Sequence, residues 1–403
     1  MPRTPATPHA PRQSRDVQLL VALAGSLASS GCRLEDVYWE NLLAAHINKL
    51  LQGRKNKAIE TALEHLVEQN LNAYEILVEQ SETLSESTQL TVDGVEYDVL
   101  LFSAPIVAWT RYQLPEGRLG KAVQQAIDKQ LRTHIVAGDA RLALVPQLVC
   151  FDQMPQSFQE TWAWTRHLGM AAINAGPDSP LIKAAADSQG MLADARFIVG
   201  AIVVPKGGAL FRWQSPEAGH AATREQCFAN WSHDNAQTLA TLFTGCNFEH
   251  LAPDAYYISN READRHLRPL ALKASVTWLQ TVAAIPAGDL RAAVVGCGDG
   301  LVEEYRIGFS TRHNNDVIYG CIWPILSKDE AAAESTDGAQ AEIPDDIAAL
   351  IKELGINDTR RLPGLYPAEF CDDCGAPYFP SPLGEMMHPE LPEEIDTNPV
   401  HFH

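Results

Sequence analysis

Residues 195–213 read ARFIVGAIVVPKGGALFRW, and this stretch decides the fold class. An apolar, β-branched run from Phe197 to Val204 meets a turn cluster of Pro205, Gly207 and Gly208, and a second apolar run leads into Trp213. Runs of this length, rich in Val and Ile and bounded by Gly and Pro, are buried strands rather than helices. The same pattern occurs at Val99–Trp109 (VLLFSAPIVAW) and at Asp316–Leu326 (DVIYGCIWPIL). The middle of the chain is therefore expected to be a sheet with helices laid on it.

Outward from that stretch the pattern is regular. Upstream, Leu90–Val92 and Val95–Val99 alternate around Asp93-Gly94, a two-residue hairpin turn whose residues tolerate positive φ. A helix at about 119–134, a strand at 142–151 and a helix at 158–168 follow. After Val204 come a helix at about 225–243, a strand at 251–258 and helices from about 261 to 282. LVPQLVCF (Leu144–Phe151) can be laid over LAPDAYYI (Leu251–Ile258), and Leu100–Trp109 over Phe197–Lys206. Tandem duplication of a strand–helix–strand–helix unit and convergence on a common pattern both account for this.

The expected fold class is α+β (mixed α/β), in six segments. Residues 1–15 are a Pro-rich basic arm, and 16–86 form a helical N-terminal layer. Residues 87–190 make the first strand–helix unit. Residues 191–328 make the second, with a closing β segment at 290–326. Residues 329–343 are an acidic linker, and 344–403 carry one helix (PDDIAALIKEL) and a small zinc-knuckle tail. In the helical layer Leu34, Tyr38, Trp39, Leu42, Leu43, Ile47, Leu50 and Leu51 are expected to share one apolar face.

The chain of 403 residues carries a formal charge of −20, distributed unevenly. From Asp329 onward there are 17 Asp/Glu against 3 Lys/Arg, a local net of −14, which leaves −6 for the preceding 328 residues. An acidic surface repels phosphate backbones and disfavours nucleic acid as a partner. No apolar run reaches the length of a spanning helix. Six cysteines (Cys32, Cys150, Cys227, Cys246, Cys297, Cys321) are scattered singly, as free thiols in a reducing compartment are, so cytoplasmic location is the default. Val17–Cys32 follows basic residues and ends in Gly-Cys, as a lipoprotein export signal does. Asp16 and Gln18 interrupt its start, however, and Ser29 stands where such signals carry an aliphatic residue. An amphipathic helix ended by Gly31 is the better reading.

One chemical signature stands out, in the tail. Cys371-Asp-Asp-Cys374-Gly places two thiolates on one tight turn suited to tetrahedral Zn²⁺, and His388 and His401 complete a Cys₂His₂ set, with His403 as an alternative fourth ligand. Four protein ligands leave no open position for water, so such a zinc is structural. A thioredoxin-like redox pair would need a helix that Gly375, Pro377, Pro380 and Pro382 forbid. Val294–Gly300 (VVGCGDG) looks like a nucleotide loop, but the alternation of Tyr305, Ile307 and Phe309 makes Asp299-Gly300 a hairpin turn instead. His233 lies in a helix and His313 in a turn, neither with an identifiable partner, and no catalytic set emerges.

The motifs CRLED (Cys32–Asp36) with Trp39, ARLALVPQL (Ala140–Leu148), DQMPQSF (Asp152–Phe158), ADAR with the strand to Pro205, PDAYY (Pro253–Tyr257), EEYRIGF (Glu303–Phe309) and CDDCGAP (Cys371–Pro377) occur together in this chain. In this combination the chain resembles an uncharacterised proteobacterial family classed only as a domain of unknown function. The resemblance implies a cytosolic bacterial protein and brings no catalytic residues with it. The reading that follows is a non-enzymatic interaction or regulatory protein with a protein partner and a structural zinc site in its tail. The alternative is an enzyme acting on a small molecule in a cleft between the two units, with His233, His250 or His313 as acid–base groups.

Overall fold

The structure is a computed structural model. It describes residues 14–55, 57–110, 114, 117–174, 192–214, 222–327, 330–331, 334 and 342–392. Most of the sequence-predicted arm and linker, together with His401 and His403, lies outside the described residues. Among those described, nine α-helices and twelve strands make a mixed α+β fold. None of the helices is long and apolar enough to cross a membrane.

Four helices form the N-terminal layer: α1 (Arg15–Ala28), α2 (Arg33–Gln52), α3 (Lys57–Gln69) and α4 (Leu71–Glu86). Ser14 and Asn70 cap α1 and α4, each side chain accepting from a backbone N–H three residues on. Their shared core holds Leu20, Leu43, Ile47, Leu50, Leu51, Ile59 and Leu77. The single apolar face expected for α2 is in fact two. At about 100° per residue, Leu34, Tyr38 and Leu42 fall opposite Leu43, Ile47 and Leu50. The second set is buried, whereas the first is 85, 59 and 40% exposed.

The main sheet is organised by β2 (Val95–Trp109) and β4 (Ala193–Pro205), antiparallel and in register from Tyr97↔Pro205 to Trp109↔Ala193. Strand β1 (Ser87–Val92) pairs with the first half of β2 through the turn at Asp93 (φ 52°) and Gly94 (φ 78°). Strands β5 (Asn247–His250) and β6 (Asp254–Ala255) pair with its second half, and β3 (Arg141–Leu144) lies on the far edge of β4. Both faces are covered, which is why these strands read as continuous apolar runs. On one face Phe102, Ile106, Ile198 and Ile202 meet α5 (Lys121–His134) and α7 (Arg224–Ala240), through Leu131 and Trp231. On the other, Leu101, Phe197 and Val203 meet α6 (Phe158–Asn174) and α8 (Tyr256–Thr281), through Trp164 and Tyr256. The strand expected at 251–258 is short, because α8 begins at Tyr256.

A second sheet has the order β10-β7-β8-β9. Strands β7 (Leu290–Cys297), β8 (Glu304–Thr311) and β9 (Asn314–Pro324) are consecutive hairpins, and β10 (Asp358–Tyr366) runs parallel to β7. The glycine-rich segment at 296–300 is thus a hairpin connection with no helix behind it. Helix α9 (Ile343–Glu353) buries Ile347 and Ile351 in this sheet's core beside Leu272, Val276 and Leu279 of α8. The α9–β10 segment is therefore built into the sheet that starts at Leu290, rather than belonging to a separate tail.

Glu86, the last residue of α4, joins the helical layer to the main sheet. Its carboxyl accepts the Tyr257 N–H at 2.9 Å, at the start of α8. Beside it the Tyr257 hydroxyl donates to Thr161 Oγ1 at 3.0 Å. Burial pushes the Glu86 carboxyl from 4.5 up to about 7, with the neighbouring Glu82 adding to the shift. A carboxyl whose pKa is higher in the folded chain stabilises fully below its unfolded value, and that contribution is lost as pH rises through the folded value. Glu86→Gln keeps the acceptor and removes the charge. The variant should gain stability over wild type progressively between about pH 4.5 and 7, by at most about 3 kcal/mol. Thermal melts across that range check this, and parallel pH profiles for the two proteins would contradict it.

Candidate metal centre

Downstream of β10 the chain makes the turn that carries the two tail cysteines. Gly375 N–H donates to Cys371 O at 2.8 Å, and Cys371 N–H donates to Ala376 O at 2.7 Å. Gly375 takes φ 73°, a value that favours glycine. The backbone N–H groups of Cys374 and Asp373 hold the Cys371 thiol below the ordinary thiol range, with the Tyr378 hydroxyl adding to the shift. This is the arrangement a thiolate ligand needs, with donors aimed at sulfur and the second sulfur a turn away.

The hairpin of β11 (Phe379–Pro380) and β12 (Met386–Met387) delivers the third candidate ligand. Its register, Phe379↔Met387, sets His388 opposite Tyr378, and Cys374 Sγ lies 3.1 Å from His388 Nε2. The potential ligand atoms of Cys371, Cys374 and His388 all fall within 4.8 Å of one another. The structure therefore brings three of the four sequence-predicted ligands together; His401 and its alternative His403 lie outside the described residues. Two thiolates and an imidazole are donors that suit Zn²⁺ and other borderline or soft ions. His388 Nδ1 is 3.6 Å from Glu390 Oε1, beyond hydrogen-bond distance, and is without a hydrogen-bond partner among the described residues.

Two features fix this hairpin and turn on the second sheet, and neither was read from the sequence. Arg306 of β8 is completely buried. Its Nε donates to Glu304 at 2.6 Å, and its Nη1 donates to the carbonyls of Glu369 (2.6 Å) and Tyr378 (2.8 Å), one on each side of the cysteine turn. In addition, Gly308 and Gly320 are direct cross-strand neighbours in β8 and β9. A Cβ on Gly308 would lie 2.1 Å from Pro380 O, and one on Gly320 would lie 2.3 Å from the Phe379 ring. The glycine pair is a slot that admits Phe379-Pro380. Gly308 of EEYRIGF and Gly320 of DVIYGCIWPIL are the sequence signals for it, since a glycine inside a strand marks a close backbone approach.

The histidines of the enzyme alternative do not converge. His250 is buried edge-on to Trp231 and Phe248, and burial lowers its pKa to about 4, so it is a neutral core residue. His313 sits exposed in the β8–β9 turn, in the other sheet. His233 lines a groove of about 390 Å³ between α5 and α7, with Lys129, Gln130, His134, Asp234 and Gln237. There His134 Nε2 is 2.8 Å from Asp234 Oδ2. His134 lacked a recognisable signal because its partner is a hundred residues away.

The geometry of fold and centre can be set beside known proteins. A family described as a protein of unknown function (DUF2863) matches residues 5–402, and the chain belongs to it. No curated protein and no solved structure matches the chain.

The glycine slot makes a direct prediction. Gly320→Ala should lower stability by about 1–3 kcal/mol, through overpacking against Phe379. It should also make residues 367–392 the first site of limited proteolysis. An unchanged melt and cleavage pattern would show that the slot does not hold the hairpin.

Proposed function

We propose that this protein is a non-enzymatic interaction or regulatory protein whose C-terminal segment is held by a structural metal ion, Zn²⁺ by its donor set. The observation that carries this reading is the convergence of Cys371, Cys374 and His388 on a turn already shaped for thiolates. His401, or His403 in its place, supplies the fourth ligand in this proposal, closing the coordination shell and leaving no position for substrate. The cytosol, where single free thiols persist, is its compartment, and a protein is its partner. The metal's role is to close the loop that runs from the cysteine turn through the β11–β12 hairpin, so that the acidic C-terminal surface is presented in one shape. Metal analysis of the full-length protein tests it: about one zinc per chain, lost in Cys371→Ser/Cys374→Ser. Pull-downs with the two proteins should then differ in partner. Metal-free wild type, or an unchanged partner list, would refute the reading.

The second reading, an enzyme or small-molecule binder, rests on the α5–α7 groove. It lies between the two strand–helix–strand–helix stretches, and the His134–Asp234 pair spans it. Their common element order supports, without requiring, a tandem duplication. A bound metabolite should raise the melting temperature of the wild type and not that of His134→Ala/Asp234→Ala. A metabolite library giving no such difference would dismiss this reading.

A further inference from the structure

The first half of α2 is the most conspicuous unpartnered surface among the described residues. From Arg33 to Leu42 no residue is buried, although Leu34, Val37, Tyr38 and Leu42 all lie in that segment. Leu34 is 85% exposed and Tyr38 59%. Leu34, Tyr38, Leu42, Ala45 and Lys49 follow at steps of four, four, three and four residues and so form one stripe, opposite the face that enters the helical core. Tyr38 stacks edge-on with Trp39, whose Nε1–H donates to Glu35 at 3.3 Å, so the stripe is held in shape. An ordered apolar helix face of this kind marks an interaction site.

We infer that the stripe is the contact between two copies of this chain, with the two α2 helices antiparallel across a twofold axis. The stripe is complementary to itself in that arrangement and in one register. With the axis between Asn41 and Leu42, the large Tyr38 faces the partner's small Ala45, and Leu34 faces the aliphatic stem of the partner's Lys49. The same register brings the Lys49 ammonium alongside the partner's Glu35. Lys49 is exposed and pairs with no carboxylate among the described residues of its own chain. Large-into-small packing with a reciprocal ion pair is what an isologous contact requires. One helix pair is small for an interface, so the dimer exchanges with monomer at ordinary protein concentrations.

Sedimentation velocity of the full-length protein over about 1–100 µM tests this. The wild type should move from one chain mass, 44.1 kDa, towards twice that value. Tyr38→Glu/Leu42→Glu should stay monomeric throughout. Lys49→Glu and Glu35→Lys should each raise the dissociation constant at least about tenfold, and the two together should restore it. These positions are exposed, and unchanged circular dichroism confirms folding. Should the double glutamate variant fail to fold, the charge-swap pair decides alone. A wild type that is monomeric at every concentration overturns the inference and assigns the stripe to a different protein. A dimer indifferent to all four substitutions also overturns it. Cys371→Ser/Cys374→Ser should dimerise as the wild type does, so the outcome is independent of the metal reading.

Discussion

The β2–β4 pair is the constraint on which the rest depends. Thirteen consecutive residue pairs tie the two strands together, and their side chains alternate into two separate cores. With period-two geometry, a shift of one residue would send Phe102 and Ile106 to the face of α6 and α8, and Leu101 to the face of α5 and α7. Gly200, paired with Phe102, guards the register locally: a Cβ there would lie 2.6 Å from Ala143 O and 2.9 Å from the Phe102 ring. Helices can cover both faces only because the strands are apolar on both, and that coverage fixes where the chain must cross.

Helix α8 transmits that constraint to the second sheet. Its first turns bury Tyr256 and Ala263 in the main-sheet core, and its later turns bury Leu272, Val276 and Leu279 against β7 and α9. Pro269 lies inside the helix between the two sets, where a backbone N–H is missing from the ladder. The two sheets thus share one helix as a common wall. Glu86 and Tyr257 lock the N-terminal layer to the beginning of that same helix.

The fold was legible where periodicity was unambiguous. Strands at 99–109, 197–204 and 316–324 carry runs that only a doubly covered or core-facing strand explains, and Asp93-Gly94 names its own turn. Two features were not legible. The stripe of α2 was merged with its core face: the helical period separates Leu34, Tyr38 and Leu42 from Leu43, Ile47 and Leu50, but the sequence does not say which of the two sets is buried. The strand expected at 251–258 was shortened by Tyr256, whose aromatic ring suits a strand but which here starts a helix capped from a distance by Glu86. The candidate centre divides the same way. Cys371, Cys374 and His388 are visible as ligand types, whereas Arg306 and the Gly308/Gly320 slot act across 59 to 72 residues.

The charge of the C-terminal segment would favour a cation at the group of Cys371, Cys374 and His388, which could hold a metal ion. Of its three cations, Arg361 is engaged by Asp345, and Arg360 donates to the Pro382 carbonyl. In the cysteine turn, Asp372 and Asp373 stand between the two cysteines in sequence. The buried cation nearest the turn, Arg306, is already paired with Glu304. Two thiolates added to two carboxylates within four residues would repel one another strongly unless a dication were bound between the sulfurs.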